Sequence, residues 1–210
     1  MIKQNQVIVS AEWQVKQELR ALGLTPEIVR NVAIASAGAR TDAMPIDPCS
    51  APGIFAYIHG VRNIRRQLLP NGWKISRVGN VESTVNYELG VQLCFQSVDR
   101  ACGDKDPEAI SAKGAGSRRL VHDGQLELFR NSPGSRTFGS TPTVWMVCVS
   151  SDDDTVRAEV SCPASFEGGQ FDGFVRRLFV VDESFGPQPG KAKNPEDDDD
   201  LDFDVPVTKK

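Results

Sequence analysis

Two adjacent segments in the C-terminal half of the chain constrain its fold most strongly. Val144–Val149 is a dense run of β-branched, aromatic and sulfur-containing residues, which is typical of a buried strand. After a polar turn, Thr155–Cys162 alternates between apolar and polar residues, which indicates a strand with one buried and one solvent-facing side. The apolar run Phe174–Asp182 supplies a third strand. The residues expected to face solvent on the second strand are Arg157, Glu159 and Ser161.

Helical signals dominate the first third of the chain. Apolar residues at helical spacing predict a helix that Ser10 caps and that runs to Leu22. The sequence Thr25-Pro26-Glu27 combines a capping hydroxyl, a first-turn proline and an acid at the positive end of the helix dipole, so a second helix is predicted to start there and to end near Gly38. A third helix is predicted from about Gly53 to Leu69.

From Trp73 onward the pattern favours strands. Trp73–Val78 and Gly90–Val98 alternate, whereas Val81–Leu89 is ambiguous between a strand and a short helix. The dipeptide Asp123-Gly124 suits a tight hairpin turn between two further short strands, Arg118–His122 and Gln125–Phe129.

Helices followed by roughly six strands predict an α+β fold, with N-terminal helices packed on a mainly antiparallel sheet of about six strands. A chain of 210 residues fits one domain of ordinary size plus an appendage. We expect residues 1–185 to form a single globular domain and residues 186–210, which are acidic and poor in apolar side chains, to form a disordered acidic tail.

Several function classes are disfavoured by composition. No apolar run is long enough for a membrane span, and the N-terminus lacks the apolar region of a secretory signal, so we expect a cytoplasmic protein without a membrane partner. The five cysteines include no Cys-x-x-Cys pair and indicate buried reduced thiols. With only two histidines, His59 and His122, we expect no metal site and no cofactor.

Charge is distributed unevenly. Residues 191–210 carry seven acids and four lysines; removing them from the totals of 28 acidic and 24 basic residues leaves 21 and 20 in residues 1–190. The body is therefore nearly balanced and is not a strongly basic nucleic-acid binder by composition.

Two basic segments are candidates for contacts with phosphate groups. In Lys113–Arg119 two glycines allow backbone amides to approach an anion, although the spacing matches neither a Walker A motif nor a dinucleotide fingerprint. The third helix carries the second cluster, which a solvated helix face would also explain. The candidate nucleic-acid-binding residues are Arg62, Arg65, Arg66, Lys113, Gly114, Gly116, Ser117, Arg118 and Arg119.

Catalytic alternatives have weaker patterns. A divergent Mg²⁺-dependent nuclease could use acids around the predicted Gly90–Val98 strand, but no lysine has an acid two residues before it, as the common nuclease motif requires. The candidate acids are Glu82, Glu88, Asp99, Asp104 and Asp106. No Gly-x-Ser-x-Gly motif supports a hydrolase, so we expect no catalytic residues. Aromatic residues in the Gly-rich segment Pro163–Gly173 could stack on bases or pack under the sheet.

The acidic tail carries the most specific functional pattern. Leu201, Phe203 and Val205 stand among aspartates that include Asp199 and Asp200. These twenty or so residues resemble the acidic C-terminal tails of bacterial and phage single-stranded DNA-binding proteins, which implies recruitment of partner proteins or competition with DNA for a basic surface. The chain departs from that family because Thr208-Lys209-Lys210 follow the apolar tip and because helices precede the strands.

These patterns together predict a non-catalytic, nucleic-acid-associated accessory protein of a bacterium or phage, with nucleic acid and a tail-bound protein as its partners. Two alternatives stay open. One is the divergent Mg²⁺-dependent nuclease, and the other is a protein-binding subunit of a larger complex.

Overall fold

The computed structural model describes residues 6–130, 141–152 and 154–184, and for residues 125–130 it describes the backbone alone. Four α-helices are present in these ranges: α1 Glu12–Ala21, α2 Pro26–Thr41, α3 Ala51–Leu68 and α4 Ala115–Arg130. The strands are β1 Val7–Val9, β2 Lys74–Ser76, β3 Ser83–Asn86, β4 Val91–Ser97, β5 Thr143–Ser151, β6 Thr155–Pro163, β7 Phe166–Glu167, β8 Gln170–Phe171 and β9 Phe174–Ser184. Short 3-10 helices span Leu69–Asn71 and Val78–Asn80.

Seven of these strands form one sheet in the order β1-β9-β6-β5-β4-β3-β2, and β7 and β8 form a separate small hairpin. The pairs β1–β9 and β4–β5 are parallel, and the other neighbours in the large sheet are antiparallel. The predicted α+β fold with a mainly antiparallel sheet is therefore confirmed, with one strand more than the roughly six expected. The predicted central arrangement is also confirmed, because β5, β6 and β9 lie side by side.

The hairpin predicted around Asp123-Gly124 is wrong, because both flanking segments belong to the single helix α4. Gly124 is buried inside that helix, and a Cβ atom there would lie 2.8 Å from the carbonyl oxygen of Pro142 and 3.1 Å from Val144. The glycine thus permits close contact between α4 and the start of β5 rather than a turn. A helix here also explains the parallel pairing of β4 and β5, since parallel neighbours need a long crossover connection.

The N-terminal helices cover one face of the sheet, as predicted. Thr25 caps α2 by accepting a hydrogen bond from the Ile28 amide at 3.3 Å. Two boundaries differ from the prediction: α2 continues beyond Gly38 to Thr41, and the N-cap of α1 is Ala11 instead of Ser10, without a side-chain cap. The first core cluster joins these helices to one face of β4, β5 and β6; its members include Leu19, Val29, Val32, Ile64, Leu93, Phe95, Trp145, Val147 and Val160.

The opposite face of the sheet is covered as well, which the sequence did not indicate. Glu159 and Ser161, expected to face solvent, are fully buried together with Arg177 of β9. The segment 99–113 and α4 lie over this face, where a second core cluster forms; its buried members are Cys94, Val98, Ala101, Val121, Val144, Met146 and Cys148. Alternation correctly assigned these side chains to one side of β6, but it could not show that another part of the chain covers that side.

A hydrogen-bonded ion pair lies at the centre of the covered face. Arg177 donates from Nε and Nη2 to the two carboxylate oxygens of Glu159, at 2.8 and 2.7 Å. Ser161 Oγ and the Cys102 amide donate to the same oxygens, both at 2.7 Å. Arg177 Nη1 also donates to the Lys105 carbonyl at 3.1 Å. The pair therefore fixes two points of the covering segment to the sheet.

None of the described helices is both long and apolar enough to cross a membrane. The predicted tail, residues 186–210, lies outside the described residues.

Gly60 allows α3 to pack closely against the sheet, since a Cβ atom there would lie 2.3 Å from the ring of Phe95. We expect Gly60→Ala to destabilise the fold by about 1–3 kcal/mol, because the buried ring must move. Gly38→Ala is the matched control, since no atom lies within 4 Å of the position that its methyl group would occupy, and it should stabilise α2 by about 0.4–1 kcal/mol. Urea unfolding of both variants checks the contrast; equal effects would contradict it.

The buried ion pair gives a second expectation. Glu159→Ala leaves the Arg177 guanidinium buried without its carboxylate, and we expect a loss of about 3–5 kcal/mol in the free energy of unfolding. Glu183→Ala is the control, because it removes the more exposed ion pair with Arg30 (2.6 Å) and should cost about 1 kcal/mol or less. Urea midpoints of the two variants measure the difference, and similar midpoints would show that the buried pair contributes no more to stability than the exposed one. If Glu159→Ala does not fold, Glu159→Gln still allows the comparison.

Candidate nucleic-acid interface

The three arginines predicted on the third helix have different surroundings in α3. Arg62 and Arg66 are exposed, and one nitrogen of the Arg62 guanidinium lies 3.5 Å from the His59 ring. Arg66 lines an open groove between α2 and α3, about 440 Å³ in volume, together with Asn31 and Gln67. Arg65 instead points toward the sheet and has a side chain that is 16% exposed. Arg62 and Arg66 are therefore free to meet a ligand, whereas Arg65 has a structural role.

Arg65 forms a short ion pair with Glu82, the residue that precedes β3. The other carboxylate oxygen of Glu82 accepts a hydrogen bond from Arg77 Nε at 3.1 Å. The bond from Arg65, with a smaller contribution from Arg77, holds the pKa of Glu82 below its usual value of 4.5. One carboxylate thus links the C-terminal half of α3 to the segment that follows β2.

The predicted phosphate-binding segment Lys113–Arg119 leads directly into a helix. Ala115 begins α4, so Gly116, Ser117, Arg118 and Arg119 lie in its first turns and only Lys113 and Gly114 precede it. The Lys113 amide donates to the Gly169 carbonyl at 2.8 Å. Burial lowers the pKa of the Lys113 amine, whose electrostatic neighbours are the buried thiols of Cys94 and Cys148. Lys113 is partly buried and is therefore a weaker candidate for contact with an external anion than the exposed Arg118 and Arg119.

The two glycines of this segment have different surroundings. Gly116 rests on the 3-10 turn Val78–Asn80, and a Cβ atom there would lie 2.0 Å from the Gly79 carbonyl oxygen. Gly114 has open space around it, with no atom within 4 Å of a Cβ position. Gly116 is thus required for helix packing, and its contact brings the start of α4 to the residues that follow Arg77.

These contacts join the two basic segments that are separate in the sequence. Arg65 and Arg77 meet at Glu82, and the turn after Arg77 meets the first turn of α4. Exposed cations are found on each of these elements: on α3, in β2 and just after it, and near the start of α4. We call them the basic band: Arg62, Arg66, Lys74, Arg77, Arg118 and Arg119. Sequence proximity places Lys74 and Arg77 near the helix cluster, but it gives no signal for Glu82 as the link.

The acids considered for a nuclease site do not come together. Glu82 is bound to two arginines, Asp99 accepts the amides of Arg100 and Glu108 at 2.7 Å each, and Asp106 lies 3.5 Å from Arg177. Glu82 precedes β3 and Arg177 is in β9, and these strands are four spacings of about 4.8 Å apart in the sheet. The exposed Glu88 and Asp104 complete the set. Within the described ranges no group of three or more His, Cys, Asp or Glu side chains could hold a metal ion.

The described residues give no more support for an enzyme with a nucleophilic side chain than for a metal-dependent nuclease. Cys94, Cys148 and Cys162 are buried, and burial raises the pKa of the Cys94 and Cys102 thiols to about 12. Such thiols carry almost no thiolate at neutral pH. On the surface of α4 the His122 ring lies 3.3 Å from the Asp123 carboxylate, which pairs it with an acid instead of a nucleophile.

The aromatic residues after β6 pack together. The ring centroid of Phe171 lies 5.0 Å from that of Phe166 and 4.8 Å from that of Phe174. Phe166 and Phe171 also pack against the second core cluster. These rings therefore support the covered face of the sheet and are not free platforms for bases. The tail residues Asp199, Asp200, Leu201, Phe203 and Val205 lie outside the described residues.

Comparison of the chain with protein families, curated proteins and solved structures gives no significant match.

The Glu82 link makes a pH-dependent prediction. Because its folded-state pKa is lowered, Glu82 contributes stability that is present above the unfolded-state pKa and is lost as the pH falls through the folded-state value. Glu82→Gln should therefore be less stable than the parent at pH 7, and the two urea midpoints should converge below about pH 4. Glu88→Gln is the control, since the exposed Glu88 makes no ion pair with another described residue. A constant difference across this pH range would contradict the assignment.

Proposed function

We propose that this protein is a non-catalytic, nucleic-acid-associated accessory protein that contacts phosphate groups through the basic band. The observation that supports it most is the pair of contacts at Glu82 and Gly116, which tie the C-terminal half of α3 and the start of α4 to the same β2–β3 side of the sheet. Six exposed cations are carried by α3, by β2 and the residue that follows it, and by α4. A band of this kind neutralises phosphates and releases their counterions on binding.

The chemistry of the band favours backbone contacts. Arginine and lysine contacts to phosphate position a protein on nucleic acid but carry no sequence information themselves. The aromatic rings of β7 and β8 are used in packing, so stacking on bases has little support among the described residues. We therefore propose affinity that depends strongly on salt and weakly on base sequence.

The tail completes this proposal. Its resemblance to the tails of single-stranded DNA-binding proteins supports a role in recruiting partner proteins or in limiting access to the basic band. In this proposal Leu201, Phe203 and Val205 make apolar contacts, while Asp199 and Asp200 supply charge.

A protein-binding subunit is the second candidate, because several large apolar residues are exposed at the start of α3 and in the connection before it. Met44 and Ile46, in the α2–α3 connection, are 62% and 90% exposed, and Ile54 and Ile58 of α3 are 49% and 42% exposed. Exposed apolar surface of this kind is typical of interfaces. The divergent nuclease has less support, since three of its acids are engaged in separate contacts.

Charge reversal tests the proposed function. The full chain with Arg66→Glu and Arg118→Glu should bind labelled single- and double-stranded DNA and RNA at least about tenfold more weakly at low salt, with a shallower dependence of log affinity on log salt. Arg65 is left intact, because its reversal would break the ion pair with Glu82. Fluorescence anisotropy across a salt series measures both quantities.

The control carries the same charge change elsewhere. Arg20→Glu with Lys105→Glu alters two exposed cations outside the basic band and should leave affinity within about twofold after allowance for net charge. Equal losses in both variants would show that the band is not the binding surface. Absence of binding by the parent chain at low salt would remove the proposed function itself.

A further inference from the structure

The outer edge of β2 is open. β2 is the terminal strand of the large sheet, and among the described strands it pairs only with β3. Ile75 is 44% exposed on this edge, and Val78 and Tyr87 nearby are 68% and 64% exposed. An edge with unpaired backbone groups and apolar side chains can accept another strand.

The tail contains a segment with the pattern of such a strand. From Asp200 to Val205 the residues are Asp, Leu, Asp, Phe, Asp and Val. A period of two would place Leu201, Phe203 and Val205 on one face and three aspartates on the other. Pro206 follows, and since proline has no amide hydrogen it suits the end of a ladder.

We propose that Asp200–Val205 adds to the open edge of β2 within the same chain. The register of β2 decides how the faces match. Ile75 lies opposite Thr84, which lies opposite Leu93 of the first core cluster, whereas Lys74 belongs to the other face. If Phe203 pairs with Ile75, one of the two aspartates that flank Phe203 pairs with Lys74, whether the added strand is parallel or antiparallel. The register thus combines an apolar pair with a pair of opposite charges.

Charge distinguishes this edge from the other one. Lys74 and Arg77 belong to the basic band, whereas the described residues around β1, from Gln6 to Ser10, include no cation. Both edges expose apolar side chains to the same extent, with Ile8 45% and Ile75 44% exposed. A segment that carries an aspartate at every second position is therefore better matched in charge to the β2 edge than to the described residues of the β1 edge.

The chain is long enough for this contact. β9 ends at Ser184, and fifteen residues, 185–199, precede the segment. Five strand spacings separate β9 from β2, and a strand added outside β2 lies one further, so the distance to span is about 29 Å. A flexible chain of fifteen residues has a root-mean-square span of about 20 Å and extends to about 50 Å.

The contact would place aspartates beside the cations that the proposed function assigns to phosphate binding. The tail strand and nucleic acid would then compete for the same edge. The strand addition itself does not depend on nucleic-acid binding, so its test contains no nucleic acid and can fail independently of the proposed function.

Disulfide cross-linking in the full chain tests the proposal. Ile75→Cys and Phe203→Cys are introduced together with Cys49→Ser, because Cys49 is the exposed natural cysteine of the described residues. Directly paired strand residues lie within disulfide range. The matched control joins Phe203→Cys to Ile8→Cys, whose exposure is nearly equal. Mild oxidation at low protein concentration is followed on a non-reducing gel and by mass spectrometry.

We expect the Ile75→Cys variant to form an intramolecular cross-link at least about tenfold faster than the Ile8→Cys variant. Adding Lys74→Glu should slow it, whereas adding Arg20→Glu, on the surface of α1, should not. Equal rates at the two edges would overturn the proposal, because they would indicate random encounters. A cross-link formed mainly between two chains would also overturn it, since the occupant would then be a second copy.

Discussion

The ion pair between Arg177 and Glu159 organises the half of the molecule that lies on the second face of the sheet. Two opposite charges can be fully buried only when their remaining hydrogen-bonding groups are satisfied. Ser161, Cys102 and the Lys105 carbonyl meet that requirement here. Because two of these partners belong to the segment after β4, the pair both needs this segment and holds it in place. The position of α4, which follows the segment in the chain, depends in turn on this arrangement.

Local patterns predicted the first face of the sheet well. The capping sequence at Thr25, the alternation in β6 and the apolar run of β5 each depend on neighbours in the chain, and each was found as expected. The second face depends on contacts between distant residues. A glycine after an aspartate predicts a turn when only neighbours are considered, yet Gly124 lies against Pro142 and is needed for helix packing. Glu159 was assigned to solvent because its partner, Arg177, belongs to another strand.

In the candidate interface, too, some features follow from neighbours in the sequence and others from contacts between distant residues. Exposed arginines on α3 follow from helical spacing, and the structure leaves Arg62 and Arg66 exposed. The engagement of Arg65 with Glu82 and the partial burial of Lys113 could not be predicted, because both depend on elements that approach only in the folded chain. For the same reason the sequence could not show that Gly116 meets Gly79. The basic band is a property of the tertiary structure, although each of its members is visible in the sequence.

The parallel pairing of β1 with β9 has a consequence for the order of folding during synthesis. Val7 pairs with Arg176 and Val9 with Leu178, so the first of the described strands in chain order has the last of them as its partner. At bacterial and eukaryotic elongation rates the first strand waits roughly ten seconds or more for that partner. The helical layer can form on its own during this delay, because α1 to α3 are local in sequence. The ladder of the sheet can be completed only after β9 has emerged.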